Sequence, residues 1–156
     1  MESERIKSLS LDSEFAKYRS VKEIDTAIND LLLYNYFSVI SSPDGPYDVI
    51  LGVAEKRIIF DIKPTGTLKS KVKTIKISVP LSSFRSIIKD YFIVCESYQE
   101  ALKNGVIEKV EAIDMGRRGV HNEGAEVLLH LLENKINLDF ETARRIFTII
   151  TVLHIL

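Results

Sequence analysis

The spacing of hydrophobic and polar residues changes along this chain and predicts its secondary structure. Leucines alternate with serines over residues 5–11, which predicts a half-buried strand near the N-terminus. Apolar residues then recur every three or four positions, which predicts a helix from about Val21 to Tyr34. Residues 20–23, Ser-Val-Lys-Glu, have the form of a capping box at the start of that helix.

The middle of the chain has the alternating pattern and the turn residues of a sheet. Only Glu55 and Lys56 separate two of the alternating segments, which predicts a tight hairpin. Lysines crowd the last segment, where they either protect an edge strand or form a strip that contacts nucleic acid. The predicted strands are 36–40, 47–54, 57–63 and 72–79, and the lysines are Lys69, Lys71, Lys73 and Lys76.

Helical spacing returns in the second half of the chain. Ser82 or Ser83 can cap the first of these helices, since either side chain can accept a hydrogen bond from a free backbone amide. Three glycines within 116–124 then interrupt the pattern, because glycine is unfavourable inside a helix. This interruption predicts two shorter helices, over 107–115 and 120–133, joined by a loop.

Asp139 can cap a last helix that runs through Thr151 and beyond. Strands in the first half and helices in the second are typical of an α+β fold. We expect two layers, in which an antiparallel sheet of about four to five strands carries helices packed on one face. No repeat and no linker divides the sequence, so we expect one domain over residues 1–156.

The charge balance and the cysteine content narrow the classes of function. The 156 residues carry 21 basic and 22 acidic side chains, so a nucleic-acid binder is not expected. Cys95 is the only cysteine and lies in an apolar stripe, which indicates a packed side chain in a reducing compartment. The N-terminus lacks the pattern of a signal peptide, and the longest apolar segment, 146–156, is too short to span a membrane. We therefore expect a cytoplasmic protein without membrane association.

The loop that the glycines predict concentrates polar chemistry. Arg117 and Arg118 can each donate two hydrogen bonds to a phosphate or a carboxylate. Gly119 allows a close approach of the backbone, and Asn122 would open the next helix with free amides that favour an anion. The structural alternative is that an arginine pairs with Asp114, one helical turn away.

His121 is a candidate acid–base residue, because its ordinary pKa lies near neutral pH, and Glu123 or Glu126 would orient it. An acid–base site would draw on His121, Glu123 and Asp114. The spacing of these three residues matches no recognised zinc pattern, so no metal is predicted, and the sequence identifies no cofactor. Arg144 and Arg145 are expected to be solvated or ion-paired. Either could join a basic pocket with the arginines of the loop if the last helix packs beside them.

These observations leave three hypotheses open. The first is a small binding or interaction protein whose segment 114–124 accepts a small anion or a partner's carboxylate. The second is a small enzyme in which His121 is the acid–base residue while Arg117 and Arg118 hold an anionic substrate. The third is a structural subunit, for example a homodimer, in which the segment is an internal hydrogen-bonding hub. In that case the apolar last helix is central to the core or buried at an interface.

Four runs of residues resemble uncharacterised protein family 0262 of alphaproteobacteria. They are RIIFDI at 57–62, KDYFIVCESY at 89–98, EAIDMGRRGVHNEG at 111–124 and TARRIFTIITVLH at 142–154. The resemblance implies a bacterial cytoplasmic protein of about this size. It implies no activity, so no catalytic or binding residue is transferred from it.

Overall fold

Strands dominate the first half of the chain and helices the second, which confirms the predicted α+β class. The structure is a computed structural model that describes residues 3–12, 22–66, 73–105 and 107–155. The predicted capping box and two of the lysines, Lys69 and Lys71, lie outside the described residues. In chain order, the elements are β1 (Ile6–Leu11), α1 (Lys22–Leu33), β2 (Phe37–Val39), β3 (Tyr47–Ala54), β4 (Arg57–Pro64), β5 (Ile75–Pro80), a 3-10 turn (Leu81–Phe84), α2 (Arg85–Asn104), α3 (Ile107–Leu131), β6 (Ile136–Leu138) and α4 (Phe140–Ile155).

The main sheet has the strand order β1-β3-β4-β5. Its last three strands are antiparallel, as predicted, whereas β1 pairs with β3 in parallel, with Leu9 opposite Val49. The helix α1 and the strand β2 separate β1 from β3 in the chain, which gives the connection the length that a parallel pair requires. A second, two-stranded sheet pairs β2 with β6 in antiparallel register.

The hairpin between β3 and β4 forms where the sequence predicts it. Glu55 and Lys56 both have positive φ angles, 52° and 62°, which is the backbone of the two-residue turn that suits the twist of paired strands. Alternate residues of β4, such as Ile58 and Phe60, are buried in the hydrophobic core, while their neighbours are partly or fully exposed.

The predicted N-terminal cap of α4 is present, whereas that of α2 is not. Asp139 Oδ1 accepts a hydrogen bond of 2.9 Å from the Thr142 amide, which confirms the cap of α4. The predicted serine cap of α2 is wrong, because Ser82 and Ser83 lie inside the 3-10 turn that leads into the helix. Gly105 ends α2 with a left-handed φ of 69°.

The predicted loop at 114–124 is wrong, because α3 continues through it as a single helix of 25 residues. The helix packs against both α2 and α4, and these contacts outweigh the local cost of the glycines. Asp114 also pairs with Arg117 at 2.6 Å and with Arg118 at 3.1 Å, across the turn that contains Gly116. Of the three glycines, only Gly124 is buried, against the ring of Phe147.

The helix α4 lies at the centre of the hydrophobic core and packs against α1 and α3. Of the two positions left open for this helix, the described side chains therefore favour the core. Its buried residues are Thr142, Ala143, Ile146, Phe147, Ile149, Ile150 and Thr151. Within the described ranges, every helix is either too short or too polar to cross a membrane.

Candidate functional site

A cleft of about 590 Å³ opens between α1, α3 and α4. The wall formed by α1 and the wall formed by α4 supply most of the side chains, and α3 supplies the histidine. The lining residues are Lys22, Thr26, Ala27, Asp30, His121, Arg144, Arg145 and Thr148. We refer to this set as the α1–α4 cleft.

The amphipathic pattern of α1 places one polar row along the cleft. Lys22, Thr26 and Asp30 follow one another at intervals of four residues, so they share one face of the helix. All three side chains are exposed, whereas Ile24 and Ile28 on the other side are fully buried. Burial of the apolar side thus turns a cation, a hydroxyl and a carboxylate toward the opening.

On α4, the polar cleft residues interrupt a helix that is otherwise mostly apolar. Arg144 Nη2 lies 3.5 Å from Glu141 Oε2, and Arg145 donates a hydrogen bond of 3.1 Å to the carbonyl of Tyr34. Thr148 donates its hydroxyl proton to the Arg144 carbonyl at 3.1 Å. The arginine side chains are half-buried, so solvent screens their charges less than it screens those of surface residues.

His121 projects from α3 into a setting of rings and hydroxyls. Its ring centroid lies 4.8 Å from that of Tyr91 and 6.0 Å from that of Phe147. Its Nε2 lies 3.0 Å from Thr148 Oγ1. Because the threonine proton goes to the Arg144 carbonyl, the threonine oxygen accepts, and Nε2 is the protonated nitrogen of a neutral imidazole.

The surroundings of His121 favour that neutral form. Burial, together with the positive charges of Arg144 and Arg117, lowers the pKa of His121 to about 4, and burial has the largest effect. At neutral pH the ring therefore adds no charge to the cleft. Among the described residues that line the cleft, Lys22, Arg144 and Arg145 are cations and Asp30 is the one carboxylate. Glu141 pairs with Arg144 from outside this lining.

The structure brings only one of the predicted site residues, His121, to the cleft lining. Arg117 and Arg118 both pair with Asp114, and the Arg117 guanidinium also lies 4.7 Å from the centre of the Tyr98 ring. This matches the alternative in which an arginine pairs with Asp114 within one turn. Gly119 is exposed on the same helix, and no described residue comes within 4 Å of the position that a Cβ would take there.

The predicted opening of a helix at Asn122 is wrong, because this residue lies inside α3, where its amide is not free. The proposed acid–base partners do not meet His121 either. Asp114 lies two turns away, at about 10 Å along the helix axis, and the exposed Glu123 points about 160° away around the helix. In the described part of the chain, no three His, Cys, Asp or Glu side chains gather closely enough to hold a metal ion.

Sequence reasoning missed the contribution of α1 to the site. The row of Lys22, Thr26 and Asp30 is visible as a polar stripe, but such a stripe is typical of any solvated helix face. The condition set for Arg144 is met, since α4 packs beside α3 and this arginine lowers the pKa of His121. The predicted pocket shared with Arg117 and Arg118 is not formed, because neither of them lines the cleft. The pairing of Arg144 with Glu141 agrees with the expected ion pair.

Comparisons with known proteins identify relatives along nearly the whole chain. The model of the uncharacterised protein family UPF0262 matches residues 3–156. A UPF0262 protein of Caulobacter vibrioides is 45% identical over 153 residues, covering 96% of this chain and 92% of its own. Relatives in Paramagnetospirillum magneticum and Rhizobium meliloti are each 46% identical, covering 83% and 82% of this chain and 80% and 78% of their own. These matches confirm the resemblance seen in the sequence, and no solved structure matches the chain.

Proposed function

Since the chain belongs to the uncharacterised protein family UPF0262, membership supplies no activity, and we propose from the cleft itself that the protein binds a small anionic ligand. The observation that carries this proposal is the set of charges on the cleft. In the described lining, three cations face one carboxylate across an opening of about 590 Å³, a volume within the usual range of small-molecule sites. An anion in the cleft would compensate this surplus of positive charge.

The proposal keeps the predicted class of function and moves the site. Arg117 and Arg118 have their charge partner in Asp114. Among the described residues, Arg145 instead donates to a backbone carbonyl, and Arg144 pairs with a more distant carboxylate at 3.5 Å. A ligand that binds Arg117 and Arg118 must compete with Asp114, which forms short ion pairs with both. A ligand in the cleft competes with weaker contacts, so the geometry favours the cleft.

The geometry supports binding better than acid–base catalysis. An imidazole whose pKa is about 4 is a weak base at neutral pH, and neither predicted carboxylate partner is beside His121. Its hydrogen bond with Thr148 also commits one ring nitrogen to the protein itself. In this arrangement His121 is an uncharged side chain in the lining of the cleft at neutral pH.

Titration with inorganic phosphate at constant ionic strength tests the proposal. Calorimetry and thermal unfolding would be measured for the wild type, Arg144→Gln and Arg118→Gln, where the last is a control for loss of one arginine outside the cleft. Phosphate at 100 times its Kd should add about 2.7 kcal/mol to the free energy of unfolding of the wild type. We expect Arg144→Gln to lose this stabilisation and Arg118→Gln to keep it. The reverse pattern would return the site to the sequence-predicted position, and equal stabilisation of all three proteins would refute both positions.

A further inference from the structure

The charge on the cleft distinguishes between classes of anion. The surplus of two positive charges equals the charge of a phosphomonoester dianion, which a phosphate group approaches at neutral pH. A single carboxylate carries one negative charge and would offset only part of this surplus, although Glu141 also reaches Arg144 at 3.5 Å from outside the lining. The volume of about 590 Å³ also leaves space for an organic group attached to the phosphate, beside Thr26 and Ala27.

We infer that the ligand of the α1–α4 cleft is a small phosphomonoester, and that His121 takes up a proton from solvent when the dianion binds. This inference rests on the proposed function and names the ligand class and proton linkage of the same site. The evidence for it is the position of His121, whose ring lines the cleft next to Arg144 and Thr148. A dianion held there lies close to the imidazole as well as to the guanidinium.

The proton uptake follows from the groups that face the ring. Arg117 on its own helix and Arg144 on α4 are cations, Tyr91 on α2 is a neutral ring, and Lys22 and Asp30 on α1 lie across the cleft. Without a ligand, burial and the two arginines keep the imidazole neutral. A dianion offsets the arginine charges, so the protonated ring becomes a favourable additional donor to the ligand.

The size of this linkage can be stated for a simple case. If the bound dianion returns the pKa of His121 from about 4 to its ordinary value of about 6.5, the Kd falls about tenfold between pH 7.5 and pH 5.5. Sulfate is the suitable probe, since it remains a dianion throughout this range. Any pH dependence of its binding then belongs to the protein.

Calorimetry with sulfate at pH 5.5 and pH 7.5, each in two buffers of different ionisation enthalpy, measures both affinity and proton uptake. We expect tighter binding and net proton uptake at pH 5.5 in the wild type. In His121→Gln, whose amide can donate to Thr148 but cannot titrate, the affinity should be independent of pH. Methyl phosphate at pH 7.5 should bind at least tenfold more tightly than acetate.

The results separate this inference from the proposed function. Sulfate binding that requires Arg144 but shows no proton uptake, or the same pH dependence in His121→Gln, would overturn the proton linkage alone. Equal affinities for acetate and methyl phosphate would overturn the ligand class. Absence of anion binding in the wild type, or unchanged binding in Arg144→Gln, would refute the cleft proposal itself.

Discussion

Replacement of Gly124 by alanine tests the packing between α3 and α4. A Cβ atom at this position would lie within 3.0 Å of three carbons of the Phe147 ring, a distance that real Cβ atoms do not adopt. The ring is fully buried, so it cannot swing into solvent. Overpacking of a core costs about 1–3 kcal/mol, and the upper end of that range applies to a confined ring. Alanine returns about 1 kcal/mol through helix propensity, which leaves a net loss of about 2 kcal/mol.

The same helix provides matched controls for this prediction. At Gly116 and Gly119, no atom of the described chain lies within 4 Å of the position of a Cβ, so alanine there gains propensity without a clash. For a chain of this length we expect Tm to fall by about 4–8 °C in Gly124→Ala and to rise by about 2–4 °C in each control. Circular dichroism during thermal or urea unfolding measures these shifts. A rise of Tm in Gly124→Ala equal to that of the controls would refute the close contact between the helices.

Two further predictions concern the cap of α4 and the histidine of the cleft. Asp139→Ala should lower the free energy of unfolding by about 1 kcal/mol, because the Thr142 amide loses its acceptor. Asp139→Asn should retain most of the stabilisation by the cap, because its side-chain oxygen can still accept this hydrogen bond. Since the pKa of His121 is lowered to about 4 in the folded protein, the unfolded chain binds more protons between that pH and about 6.5. The contribution of His121 to the free energy of unfolding should therefore be fully present above pH 6.5 and decline toward pH 4. Urea unfolding at pH 7.5, 5.5 and 4.5 measures this decline, and His121→Gln should remove the part that is due to the histidine.

The features that the sequence predicts well are those that depend on neighbouring residues. The turn at Glu55 and Lys56 and the cap at Asp139 each depend on a few adjacent positions, and both have the expected geometry. The strand β1 shows the limit of this reasoning. Alternation predicts that it is a strand with one buried side, but the same alternation suits a parallel or an antiparallel partner.

The glycines of α3 show how contacts along and around a helix can override local propensity. Gly116 and Gly119 each disfavour a helix by about 1 kcal/mol, and their spacing alone predicts a break. The structure instead gives α3 two neighbouring helices and places the charge pairs of Asp114 on the same turns. A close approach to the backbone is found at Gly124 and not at Gly119, where the sequence predicts it, and its cause is a ring from another helix.

The α1–α4 cleft could not be assembled from the sequence for a different reason. Lys22 and Arg144 are far apart in the chain, and helical spacing shows which side of a helix is polar without showing what that side faces. The contact between His121 and Thr148 spans 27 residues and depends on how α3 crosses α4. The pKa of His121 falls because the ring is buried and lies near Arg144 and Arg117, and both conditions depend on how the helices pack.

The position of α4 has a consequence for synthesis of the protein on the ribosome. This helix follows, in chain order, every element that it covers, and its pairing partners include α1 and the amide of Tyr36. The strand β2 also obtains its partner only when β6 has been translated. During translation, the apolar sides of α1 and α3 therefore remain open until residues 136–155 emerge, and these are surfaces on which a chaperone would act.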